Sequence, residues 1–414
     1  MEAGRRERAV RLVVRGLAAV AVLSVAVWTI WGVYKAHKLA AYCQALTEKG
    51  FPADYAGRLA GLLWNHSDWK FEPLFVKDLG WEEIVGKECA PSWNLVIYSS
   101  WAPDEWSPLK EANYTPYYAK GAKAYDSGAW YQASREAIAY FMDPRNFLNE
   151  RDVFMFETLG YDADSQTLEA VERTFQKTFM FRANYDGGDR KFSELVADVG
   201  RRLGVSPVFL AGRLASEQGN GSAQAFGTIG DALTSYYTNA ADTVGNAVVW
   251  GKRFTRGNAN TTKVMAKGRS AYNGYYNFFN FRAYGLGLFE IKYNAWVEAT
   301  SEETRLKYRG PWNTQARAIE GGSMKIKERY IDTCRHTRYL QKFSVLAEAG
   351  AFRWKQYMQN IAAPLVEARK TFAAYDAADT LGAPYRFLIP VYRGLPKDRC
   401  PDPAIGNSVY SPSR

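Results

Sequence analysis

The longest unbroken apolar stretch runs from Gly16 to Val33, GLAAVAVLSVAVWTIWGV. As a helix it would be about 27 Å long, near the ~30 Å hydrocarbon thickness of a bilayer, and Leu12 to Val14 and Tyr34 extend it. Arg5, Arg6, Arg8, Arg11 and Arg15 precede it, which keeps the tail cytoplasmic and sends everything after Lys35 outside the cell membrane. Trp28, Trp31 and Tyr34 fall where an outer aromatic belt would lie. A cleaved signal peptide is the competing reading. Against it, the run is long and KAHKLAAYC is a poor cleavage site. Cys43 follows Tyr42 rather than a small residue, so a lipid-modified cysteine is not expected. The expectation is an uncleaved single-pass anchor over residues 1–35.

Beyond the anchor the pattern is mostly helical. Leu39 to Lys49 and Tyr55 to Trp64 carry apolar residues at helical spacing. Glu72 to Lys77 reads as a short strand and Trp81 to Glu88 as a helical turn. Ala90 to Tyr118, rich in Pro, Trp, Ser and Tyr, reads as irregular loops. Ala129 to Tyr140 returns to helix with Gly128 before it. Asp143 caps and Pro144 opens a turn of helix, Asn149 caps another, and Gly160 ends it. Phe192 to Arg202 is a helix. Ala223 to Lys267 is rich in Gly, Asn and Thr, with a short helix expected near Asp242 to Trp250. YYNFFNF, residues 275–281, reads as a strand. Pro311 to Thr314 start a helix, and Arg338 to Val345 and Phe352 to Tyr375 form further helical segments. After Pro390 the tail is an extended strap that Cys400 ties down.

The chain has 414 residues, with 47% hydrophobic and 23% charged residues, so it folds. The 27 Tyr and 13 Trp supply flat rings that suit sugar faces, though they also fill cores. A net charge of +10 without a dense Lys/Arg stripe does not point to nucleic acid; an anionic envelope polymer or lipid head groups fit better. Four scattered cysteines (Cys43, Cys89, Cys334, Cys400) and three histidines form no metal-ligand spacing, so neither metal nor cofactor is expected. One or two disulfides would be compatible with an oxidising compartment, with the pairing open.

Val205 to Gly221, VSPVFLAGRLASEQGNG, carries the clearest chemistry. Ser206 is a good N-cap, Pro207 suits the first helical position, and Gly219 and Gly221 are stop signals. Pro207, Leu210, Leu214 and Glu217 follow 3, 4, 3 spacing, which puts Glu217 on the apolar stripe. An unpaired carboxylate there holds its proton more tightly, as general-acid cleavage of a glycosidic bond requires. The rival reading is a terminal glutamate curling out to solvent.

MDPRNFLNERDVFMFETLGYD (142–162), LAGRLASEQGNGS (210–222), GYYNFFNF (274–281), GPWNTQARAIEGGSMKIKERYI (310–331), TRYLQKFSV (337–345), KQYMQNIAAP (355–364) and FLIPVY (387–392) follow one another in order. Together they resemble the motifs of bacterial endo-β-N-acetylglucosaminidases, the peptidoglycan hydrolases of the LytG/LytB-like group in glycoside hydrolase family 73. The resemblance spans residues 125–400. The chain differs at Cys334-Arg335-His336-Thr337 and Asn280-Phe281-Arg282-Ala283, and has a longer 223–267 connection.

The resemblance implies a mainly α (α+β), lysozyme-like two-lobed catalytic domain over 141–395. A helical accessory region (36–140) precedes it and a tail (396–414) follows. It implies cleavage of the GlcNAc-β1,4-MurNAc bond, with Glu217 as general acid. Asp231, Asp242 and Tyr276 are candidates for the second catalytic function, and Tyr275, Asn277, Asn280 and Trp312 for substrate binding. Asn277 and Asn280 could equally be structural, and Trp312 a packing residue. Expected partners are peptidoglycan strands, the membrane through the N-terminal helix, and cell-envelope proteins. A muramidase or lytic transglycosylase, or a non-catalytic wall-binding scaffold, are the alternatives.

Overall fold

The computed structural model describes residues 2–90, 94–97, 117–119, 124–125, 130–233, 246–249, 252–255, 269–284, 288–343, 345–346 and 356–403. They form two compact units, residues 1–67 and 68–414.

In the first unit, α1 (Glu2–Glu48) is one helix that runs through the boundary expected at residue 35. Gly50, at φ 103°, reverses the chain as only glycine does readily. α2 (Ala53–Asn65) then packs Tyr55, Ala56, Leu59 and Ala60 inward. Its far end brings Trp64 to Trp31 and Tyr34, with ring centroids 5.9 and 6.1 Å apart. Lys35 Nζ lies 5.3 Å from both tryptophan rings. The side chains of residues 16 and 18–23, within the expected anchor, lie outside the described ones. Among the described residues no helix is long and apolar enough to cross a membrane.

The second unit is mostly helical, with small sheets. The expected strand at 72–77 is β1 (Lys70–Gly80), and it pairs in parallel with β7 (Arg386–Arg393) from Lys70↔Arg386 to Val76↔Tyr392. An aromatic core backs this pair: Trp69 meets Phe154 at 5.4 Å, and Phe71 stacks on Phe387 at 5.2 Å. The chain end is therefore built into the body, and residues 68–140 share a unit with the expected catalytic region.

Several expectations are corrected. Residues 130–132 are a strand, β4, between β2 (Leu95–Ile97) and β3 (Ala124–Tyr125). Helix α4 begins only at Arg135, because Ser134 Oγ caps it by accepting from Ala137 N. The short helix expected near 242–250 is absent over 246–249, which instead pair with 252–255 as a hairpin; Val248 and Val249 favour strand. YYNFFNF is not a strand, because Asn280 (φ 51°) and Arg282 (φ 56°) break its alternation and Asn277 Oδ1 accepts from Phe281 N in a turn. The last long helix starts at Ala363, not Phe352.

The strap is held, but not by a disulfide: all four cysteines are free. Arg145 is buried and grips Asp143 through Nε–Oδ1 (2.9 Å) and Nη2–Oδ2 (2.8 Å). Its remaining donors reach the carbonyls of Pro396, Lys397 and Asp398 at 2.9, 3.2 and 3.0 Å. Asn146 Nδ2 donates to Cys400 O, and Cys400 N to Asp143 Oδ2, each at 2.9 Å. So the Asp-Pro-Arg-Asn turn predicted from sequence is also the clamp on the tail. Removing one partner of such a buried pair strands the other charge. Arg145→Ala should therefore lose about 3–5 kcal/mol in urea unfolding and expose residues 396–402 to protease; a loss within 1 kcal/mol of zero would contradict the clamp.

Candidate active site

The site is built on α7, which runs from Pro207 to Gln218. Ser206 Oγ caps it by accepting from Phe209 N at 3.2 Å. Ser206 N donates to Leu159 O, which fixes the entry of the helix. The preceding helix α6 (Phe192–Leu203) approaches closely at Gly200, where a Cβ would fall 2.7 Å from Val205 O. Leu210, Ala211 and Leu214 are buried, and the last turn delivers Glu217 to a half-buried position.

Glu217 Oε2 accepts a hydrogen bond from Asn280 Nδ2 at 2.8 Å, and the same amide reaches Glu217 O at 3.4 Å. Asn280 is aimed by its left-handed backbone, which asparagine tolerates. Its Oδ1 accepts from Gln218 Nε2 at 2.8 Å and from Gln224 Nε2 at 3.4 Å. Gln218 Oε1 in turn accepts from Ser222 Oγ, and Gln224 Oε1 from Lys292 Nζ, both at 2.5 Å. Asn280, expected to bind substrate, is thus a holder of the glutamate.

One turn before Glu217 stands Arg213, wholly buried. It pairs with Glu367 Oε1 (2.9 Å), donates to Gln341 Oε1 (2.8 Å) and stacks 4.0 Å from the Tyr357 ring. Burial is the largest influence on Glu217 and raises its proton affinity. The Asn280 hydrogen bond and the Arg213 charge oppose this in part, and the Glu367 charge adds to it.

Sequence reading did not single out Tyr357. Its hydroxyl is shut off from solvent and has no hydrogen-bond partner. Burial, then the negative charge of Glu217, push it well above the ordinary phenol value, against the pull of Arg213. Tyr330 meets its ring edge-on at 5.2 Å. Arg213 Nε and Gln341 Nε2, in the same cluster, are likewise buried without a hydrogen-bond partner. The signal was available: Tyr357 sits inside the KQYMQNIAAP block.

The other candidates separate. Tyr276 is half-buried, donates its N–H to Trp312 O at 2.8 Å, and lays its ring against Gly227, where a Cβ would fall 2.8 Å from it. Burial, then the charge of Asp186, raise its phenol. Tyr275 is half-buried and meets Trp296 edge-on at 6.3 Å. Asn277 is buried and donates to Phe281 O at 2.8 Å, which makes it structural. Trp312 is 0% exposed and donates Nε1–H to Tyr308 O, so it is a core residue and no sugar can reach its face; this corrects its expected binding role. Asp231 is exposed in the first turn of the helix at 229–233, where Asn273 Oδ1 accepts from its N–H at 3.2 Å. Asp242 lies outside the described residues. Among the described residues no group of three His, Cys, Asp or Glu could hold a metal ion.

No family model and no curated protein matches the chain. Solved structures resemble it loosely. A major bifunctional autolysin is 13% identical, covering 78% of this chain and 98% of its own, with a TM-score of 0.40. S. aureus glucosaminidase B is 16% identical, covering 78% and 93%, with a TM-score of 0.39. S. aureus autolysin E, in complex with the muropeptide NAM-L-Ala-D-iGlu, is 12% identical, covering 77% and 96%, with a TM-score of 0.40. Similarity that loose assigns no activity; the residues around Glu217 have to.

A raised glutamate costs stability wherever it must ionise. Between the ordinary glutamate value and its own, the native state holds a proton that the unfolded chain has lost, so this contribution falls as pH rises. Glu217→Gln keeps the oxygen that Asn280 binds and removes that cost. It should unfold at higher denaturant than wild type at pH 7, by roughly 1 kcal/mol, with the gap closing below the ordinary glutamate value; a less stable variant at pH 7 would contradict the burial.

Proposed function

We propose that the protein is a peptidoglycan hydrolase that cleaves the GlcNAc-β1,4-MurNAc bond, with Glu217 as general acid. The observation that carries this reading is the half-buried Glu217 carboxyl, held by one amide donor and driven to retain its proton. Such a group can protonate the glycosidic oxygen as the bond to the sugar anomeric carbon lengthens. The ordered motifs from Asp143 to Tyr392 support the substrate class. The lysozyme-like two-lobed form belongs to this same proposal.

The developing positive charge on the sugar then needs a negative or lone-pair partner. Tyr276 (a half-buried phenol beside Gly227), Asp231, Asp242 and the substrate's own acetamido group are the candidates for it. Retention or inversion is not assigned. Asn280 keeps the glutamate in place, and Gln218, Ser222 and Gln224 keep Asn280 in place.

For location, we propose an uncleaved N-terminal anchor with the second unit outside the membrane. Exposed Val25, Val27, Ile30 and Val33, interleaved with Trp28, Trp31 and Tyr34 and with Lys35 and Lys38 lying over the Trp31 and Tyr34 rings, support an apolar span ending in an aromatic and basic rim. Binding of peptidoglycan strands follows from the same reading.

Incubating the purified protein with peptidoglycan should yield glycans ending in reducing GlcNAc, read by mass spectrometry of the muropeptides. Glu217→Gln should lower that rate by about 10²–10⁴-fold. Ends of MurNAc or 1,6-anhydroMurNAc would replace the reading with a muramidase or lytic transglycosylase. Wall binding without sugar release would make it a scaffold.

A further inference from the structure

The buried charge farthest from any proposed role is Lys342. It stands at the end of the helix α12 (Arg338–Lys342) and is 0% exposed. Its ammonium has three donors and meets three acceptors: Asn94 Oδ1 at 2.5 Å, Gln356 Oε1 at 3.1 Å and Met358 O at 3.3 Å. Two of these flank Tyr357 directly. The third belongs to the accessory region, and so does Glu88 of helix α3 (Trp81–Cys89), buried at the same place. Glu88 Oε2 accepts from Gln356 Nε2 at 2.9 Å and from Asn94 Nδ2 at 3.2 Å. The lysine and the glutamate therefore hold Gln356 from both ends of its amide.

The backbone around the same point is fixed by the same two regions. Tyr357 N donates to Gln341 O at 3.0 Å, next to Lys342, and Gln341 Oε1 accepts from Arg213 beneath Glu217. Leu95 of β2 donates its N–H to Gln359 O and accepts from Ile361 N, at 2.9 and 3.0 Å. Residues 356–361 form no helix or strand of their own and depend on these bonds for their shape.

We propose that Lys342 is a positioning residue that, with Glu88 and Asn94, clamps residues 356–358 and so sets the Tyr357 ring against Arg213, one turn before Glu217. The accessory region is then part of the site's scaffold and not a spacer. The inference rests on the glycosidase reading for its catalytic consequence, but the clamp itself is a structural claim. Three acceptors demand the ammonium form: a neutral amine brings only two N–H donors and turns a lone pair toward an oxygen. Burial lowers Lys342 to about 8, and Glu88 is the charge that opposes the fall. At neutral pH the full set of donors is present.

A buried lysine kept for stability alone would be a poor choice, since an apolar residue of its size avoids the desolvation cost. The test uses Lys342→Met and, because that variant can fail to fold, Glu88→Gln, which keeps the shape and removes the charge. Two readouts are needed at pH 6.5. Amide exchange over residues 356–361, measured in the full chain, should accelerate at least tenfold in Lys342→Met and less in Glu88→Gln, with exchange in α7 unchanged. Turnover on peptidoglycan should fall on the order of ten- to a hundredfold through kcat, with KM within twofold. Unchanged exchange in folded variants overturns the clamp. Faster exchange with unchanged kcat, or a loss carried by KM alone, overturns the positioning role. If the wild type releases no sugar, the glycosidase reading fails and exchange alone decides the clamp.

Discussion

The activity proposed for this chain depends on the energetic cost of one carboxyl in a poorly solvated place. Glu217 receives one side-chain hydrogen bond, from Asn280. The nearby positive charge, Arg213, is largely committed to Glu367 and to the Tyr357 ring. A freer arginine would ionise the glutamate and remove the acid. A missing arginine would leave Glu367 with only Arg338, 4.0 Å away, as its partner. The glutamate is thus set by a balance in which burial outweighs a partly neutralised cation.

That balance is maintained by the groups that hold Asn280 and Arg213 in place. Asn280 is in a conformation few residues accept, and its amide is fixed by Gln218 and Gln224 on the opposite side. Arg213 is fixed by Gln341 and Glu367, from two further helices. The segment bearing Tyr357 is held by Lys342, Glu88 and Leu95. Polar networks of this kind specify a single geometry when every member is satisfied. Among the described residues this network is not fully satisfied: the Tyr357 hydroxyl, Arg213 Nε and Gln341 Nε2 are all buried without a hydrogen-bond partner.

The Glu217 helix was legible because its signals are local: a serine cap, a proline at the first position, glycines at the end, and a stripe of 3, 4, 3 spacing. Asn280 was read as either structural or substrate-binding, and its bond to Glu217 was not foreseen, because the turn that aims it depends on Asn277 bonding inside the core. Tyr357 was passed over although its KQYMQNIAAP block was read, because its surroundings appear only when Arg213 and Tyr330 converge on its ring from elsewhere and Lys342 holds its neighbours Gln356 and Met358. Trp312, read from its motif as either a sugar floor or a packing residue, is the packing residue: it is 0% exposed and bonded to Tyr308 O. The strand read from YYNFFNF failed because two positive-φ residues overrode alternation. The strap's fixing was half legible: Asp143 and Pro144 announced a turn, but Arg145 grips the tail through backbone carbonyls that no motif records.

The most direct measurement is the titration of Glu217 itself. Carboxyl ¹³C shifts of Glu-labelled protein, with Glu217→Gln assigning the resonance, give its midpoint in the native state. A midpoint clearly above those of the exposed glutamates is expected, with a lower value on loss of Glu367's charge in Glu367→Gln. A midpoint at or below the exposed glutamates would mean the carboxyl is ionised and solvated at neutral pH, and the general-acid chemistry would have no donor.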